Sequence, residues 1–132
     1  MKWFLAFVML VTGTGAHAQT ATIDWSSLPD LPYRAPPQVS REMHVFAHNE
    51  ATTRHCRAEK SALGRWRMRV DLAVLVDGAG FVRVVVPRAI DCPTVEQYAA
   101  GLASAFAQNN LLPRETAAPQ WYRTSLVFVW PQ

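Results

Sequence analysis

RWRMRVDLAVLV at residues 65–76, DGAG at 77–80 and FVRVVV at 81–86 decide the fold of this chain. In the first run Trp66, Met68, Val70, Leu72, Val74 and Val76 fall on one face, and Arg65, Arg67, Arg69 and Asp71 on the other. Period-two alternation sustained over twelve residues is the mark of a half-buried strand. Asp77-Gly78 between two apolar runs is a hairpin signal, because glycine reaches positive φ without a steric penalty. FVRVVV is then the second strand, and Pro87, which has no N–H to donate, ends it.

Working outward, PTVEQYAAGLASAFAQNN at 93–110 reads as a helix. Pro93 suits a first helical turn, and Thr94 and Gln97 have capping-box spacing. Val95, Tyr98, Ala99, Leu102 and Phe106 recur as one apolar stripe, with Asn109 and Asn110 as C-terminal caps. After a polar, proline-containing loop, WYRTSLVFVW at 121–130 is β-branched and aromatic and reads as a third strand. Upstream, Met43, Val45 and Ala47 alternate with polar residues as in a short strand. Thr52–Leu63 has helix-forming composition, and Gly64 offers a stop, which predicts a short helix carrying Cys56. LPDLPYRAPP at 28–37 holds four prolines in ten residues and reads as an extended leader. The expected fold class is therefore α+β. It comprises a small three-stranded sheet with one covering helix (β-β-α-β), preceded by a short N-terminal helix and a Pro-rich leader. The folded domain is placed at 41–132 and the leader at 19–40.

The first residues carry one cation, Lys2, then an apolar run from Trp3 to Val11, then Ala16-His17-Ala18. A charged start, a short apolar core and a small-x-small site are the pattern of a cleavable signal peptide, residues 1–18. The apolar run falls well short of the roughly 20 residues that span a bilayer. The expectation is an exported protein of the periplasm, without stable membrane insertion once the signal is removed. Cleavage after Ala18 leaves 12 Lys and Arg against 10 Asp and Glu, too weak a balance to argue for nucleic acid. Two cysteines, Cys56 and Cys92, remain. In an oxidising compartment an isolated, widely spaced pair is expected to form one disulfide.

No G-x-S-x-G, H-E-x-x-H or phosphate-cradling glycine loop occurs, so no catalytic residue and no cofactor are assigned and the expected role is non-enzymatic. His44, His48 and His55 match no closed zinc spacing and read as surface residues. Arg65, Arg67 and Arg69, extended by Arg83 on the paired strand, form a basic stripe that suits an acidic contact.

The run VDLAVLVDGAGFVRVVVPRAIDCPTVEQYAAGLASAF, with RTSLVFVW after the loop, resembles the C-terminal domain of the TonB energy-transducer family. The likeness lies in a strand, a D-x-x-G turn, a strand, an apolar helix and a final strand between Trp66 and Trp130. This chain differs in having a cleavable signal where that family keeps a membrane anchor, and a leader too short to cross the periplasm. The resemblance implies a domain that grips a partner segment by adding it to a sheet edge. The last strand, Ser125, Leu126, Val127, Phe128, Val129 and Trp130, is the expected edge. The implied partner is another envelope protein, and a homodimer through the same edge is the second occupant such a strand admits. The alternative reading is a small secreted inhibitor or immunity-type protein that contacts an enzyme through Leu111–Gln120 or the arginine stripe.

Overall fold

The alternating stretch becomes the central strand of the sheet. The computed structural model describes residues 22–132, and the signal peptide read over 1–18 lies outside them. In chain order the elements are α1 (Arg41–Thr53), β1 (Glu59–Lys60), β2 (Trp66–Val76), β3 (Val82–Pro87), α2 (Pro93–Ala107) and β4 (Gln120–Trp130). The class is α+β, an antiparallel four-stranded sheet with two helices. β4 pairs along the whole of β2 in one unbroken register, from Trp66↔Trp130 to Val76↔Gln120. The other side of β2 is shared by β1 at Trp66 and Arg67 and by β3 at Leu72–Val76.

The even-numbered face of β2 and β4 meets the helices. Met68, Val70, Leu72, Leu126, Phe128 and Trp130 form one buried cluster with Ala47 and Ala51 of α1 and with Val95, Ala99 and Ala103 of α2. The centre of the α2 stripe is a row of small residues, Val95, Ala99, Ala103 and Ala107, all buried, while Tyr98, Leu102 and Phe106 flank it half-buried. Small side chains let the helix backbone sit close to the sheet. Pro93 occupies the first helical position as read, but Thr94 makes no cap. Instead Glu96 accepts from the amides of Ile90 and Cys92 at 3.2 and 3.0 Å.

The N-terminal helix exists but begins and ends earlier than the composition suggested. Met43–Ala47 is helical, and Thr52–Leu63 forms the helix end, a turn and β1. Ser40 caps α1 by accepting from Met43, and Ala47 and Ala51, four apart, supply the buried stripe. The stop is His55 at φ 55°, with Cys56 donating to Ala51 and His55 to Thr52. That is a Schellman closure in which histidine takes the place usual for glycine. Gly64, the expected stop, instead sits at φ +76° in the turn between β1 and β2. Cys56 and Cys92 lie at disulfide distance, S–S 2.10 Å, and join the end of α1 to the start of α2. No helix among the described residues is long and apolar enough to cross a membrane.

The D-G-A-G hairpin forms, but the glycine at positive φ is Gly80 and not Gly78, whose missing side chain makes room for the Ala117 backbone. Asp77 accepts from Ala79 and Phe81 at 2.9 and 3.0 Å, and Gly80 takes φ +88°. The register then slips by one residue, leaving Arg83 as the extra residue of a β-bulge.

Candidate functional site

The outward hydrogen-bonding groups of β4 follow from its register. Arg123 donates to Pro29 and accepts from Leu31, both at 2.8 Å. Its N–H and C=O therefore point away from β2, and in an antiparallel pair so do those of every second residue: Trp121, Ser125, Val127 and Val129. Two devices cover parts of this edge. The leader forms a parallel bridge at Arg123, closed by an Asp30–Arg123 ion pair at 2.8 Å. It goes no further, because the Leu31 carbonyl accepts from Tyr33 at 2.9 Å instead of reaching Ser125. The tight turn at Pro32 carries the chain away toward Leu111 and Asn110. At the other end His44 of α1 accepts the Val129 N–H through Nδ1 at 3.1 Å, so the ring proton sits on Nε2. Between these stops the outward amide and carbonyl groups of Ser125 and Val127 have no hydrogen-bond partner among the described residues.

Of the six residues expected at the partner edge, Leu126, Phe128 and Trp130 turn inward and are buried. Ser125, Val127 and Val129 share the opposite, half-exposed face. The usable window is two residues wide, and Val129 is its stop. His44 and His48 are not idle surface groups. His44 packs edge-on against Phe128 with ring centroids 6.4 Å apart, and His48 stacks on Trp130 at 5.2 Å. His55 is the α1 stop. The His44 cap is not legible from the local alternation of Met43–Ala47; its signal is the i, i+4 spacing of His44 and His48, which share a face once that stretch is helical.

Behind the window lies a polar network. Ser125 donates to Asp71 at 2.7 Å, and Arg69 reaches both Asp71 (2.8 Å) and Ser125 (3.0 Å). Partial burial acts to raise the Asp71 carboxyl. The Ser125 and Arg69 hydrogen bonds and the charges of Arg69 and Arg88 outweigh it and hold Asp71 below the usual aspartate value. Trp25 of the leader lies under the Arg88 guanidinium, 5.6 Å from its ring centre, and with Arg69, Arg123 and Ser125 rims a cavity of about 410 Å³.

The basic stripe is only partly a unit. Arg67 faces Glu59 at 3.8 Å and Arg69 is bound to Asp71. Arg83 belongs to the far end of β2, where it pairs with Asp77, so it does not extend Arg65, Arg67 and Arg69. The loop proposed as an inhibitor contact is tied down at its start. Leu112 donates to Pro32, Arg34 to Leu111, and Arg114 to the Asp77 carbonyl. Comparison with known proteins finds no matching family model, no matching curated protein and no matching solved structure.

Proposed function

We propose that this chain is a non-enzymatic, TonB C-terminal-like protein-binding domain of the cell envelope that takes a segment of another envelope protein as an added strand on the outer edge of β4. The observation that carries this reading is the unpaired backbone of Ser125 and Val127 between two built stops. Four outward groups in a row fix the register of a short incoming strand, and the stops limit its length. The contrast with the other outer edge supports β4. β3 carries a bulge at Arg83 and ends at Pro87, two features that blunt an edge, whereas β4 keeps one unbroken register over its whole length.

The test exploits the direction of the Val127 N–H. Val127→Pro removes an outward donor and leaves the β2–β4 ladder, carried by even-numbered residues, intact. The tagged chain of residues 19–132 is used to capture partners from its own envelope fraction, beside Val127→Pro and Arg67→Ala. The reading expects an envelope protein recovered by wild type and Arg67→Ala but lost with Val127→Pro. Recovery of a soluble hydrolase regardless of Val127→Pro would favour the inhibitor reading instead.

A further inference from the structure

A second cavity lies away from the β4 edge, where the D-G-A-G turn, the C-terminal half of α2 and the loop after it meet. It is an open groove of about 1100 Å³. Its walls include Phe81 and Leu112, which are 61% and 50% exposed. Its floor is a face of α2 at Gly101, Ser104 and Ala105, exposed and without charge.

Gly101 is the informative residue. Glycine inside a helix costs about 1 kcal/mol against alanine. A Cβ built at Gly101 would meet nothing within 4 Å, so no packing among the described residues accounts for the missing side chain. A bare floor under two exposed apolar walls is what an incoming side chain needs. From Gly101 to Gln108 the helix advances about 10 Å, the span of about three residues of extended chain.

The charges select the occupant. Arg34 and Arg114 line the groove and, among the described residues, no Asp or Glu does. Neither arginine makes an ion pair with a carboxylate among the described residues. Arg34 is held by its Nε on the Leu111 carbonyl at 2.8 Å, which orients the guanidinium and leaves its terminal nitrogens for an acid. Arg114 is fixed against the Asp77 carbonyl and over the Tyr122 ring.

We propose that this groove binds a short, extended, acidic peptide, with an apolar side chain against Phe81 and Leu112 over Gly101 and a carboxylate on Arg34 and Arg114. The site is separate from the β4 edge and does not depend on it.

A phage-displayed library of random linear peptides, panned on residues 19–132, tests this. The expected result is enrichment of sequences that combine Asp or Glu with an aromatic or large aliphatic residue. A synthetic peptide of the enriched sequence, followed by fluorescence anisotropy, should bind at least tenfold more weakly to Gly101→Leu and to Arg34→Ala. A Cβ at Gly101 has open space and leucine is the better helix former, so Gly101→Leu should melt at or above wild type, which separates lost binding from lost folding. Amide shifts on binding should fall on Phe81, Gly101, Ser104 and Leu112. No enrichment, enrichment without carboxylates, or binding indifferent to Gly101→Leu would each overturn the proposal. Shifts confined to Ser125 and Val127 would overturn it while leaving the β4 reading standing.

Discussion

Opening the Cys56–Cys92 bond should cost this domain a large part of its stability. The two cysteines are 36 residues apart. Cross-linking a loop of that length removes about 4 kcal/mol of chain entropy from the unfolded state. A domain of this size holds roughly 6–17 kcal/mol in total at 0.05–0.15 kcal/mol per residue. The bond ties the stop of α1 to the cap of α2, and α1 otherwise offers the core only two buried residues, Ala47 and Ala51. Urea unfolding followed by tryptophan fluorescence, with and without reductant, measures the loss. With a slope of about 1.5 kcal/mol per M, the midpoint should fall by about 2.5 M. Amide exchange should rise first in α1 and last in β2 and β4, because the long ladder does not depend on the bond. A loss under about 1 kcal/mol would refute the reasoning, since it would mean that the link does not constrain the unfolded chain. A Cys56→Ala/Cys92→Ala double variant that matches the reduced protein separates the link from the reductant.

Gly78→Ala should destabilise by about 2 kcal/mol or more, because a Cβ there runs into the Ala117 carbonyl, which is backbone and cannot swing away; thermal melting against wild type reads it. Asp71 and Asp77 are both held below the ordinary aspartate value of 3.8, Asp77 first by the Phe81 amide and also by Arg83. Their contribution to stability is present above pH 3.8 and is lost as pH falls through their lower folded values. Urea midpoints between pH 6 and 2 should therefore drop below about pH 4, and Asp77→Asn should flatten that arm. Deleting residues 22–32 should destabilise by about 2–3 kcal/mol through the loss of buried Leu31. It should also cause self-association by sedimentation velocity, since Arg123, Ser125 and Val127 would then all present unpaired backbone.

What was legible followed from strong local signals. The β2 alternation, the Asp-Gly turn and the helix read over 93–110 each rest on a period or a turn residue whose physics is local; β2 starts one residue later than read and α2 ends three residues earlier, at Ala107. The α1 boundaries failed for a local reason as well. Met43, Val45 and Ala47 alternate by chance over five residues, while the deciding contacts, Met43, Ala47 and Ala51 on the core, need a period of 3.6 over a longer window. The stop was invisible because a histidine, not a glycine, adopts the left-handed conformation at residue 55.

The candidate edge was legible as a strand but not as a site, and the difference lies in long-range contacts. Which residues of β4 face outward depends on pairing with β2, and which of those remain free depends on the leader at Arg123 and on α1 at Val129, 93 and 85 residues away in sequence. Pro32 illustrates the coupling. Read alone, it is one of four prolines in an extended leader. In place, the turn that begins there spends the Leu31 carbonyl on Tyr33 and leaves the Ser125 amide unpaired. A leader that continued as a strand would have closed the edge for its whole length, and a leader without Pro29–Leu31 would have left it open to any exposed strand. The observed arrangement does neither. Among the described residues it leaves the outward groups of Ser125 and Val127 unpaired, so a strand added as proposed would be held to one register and would end at His44.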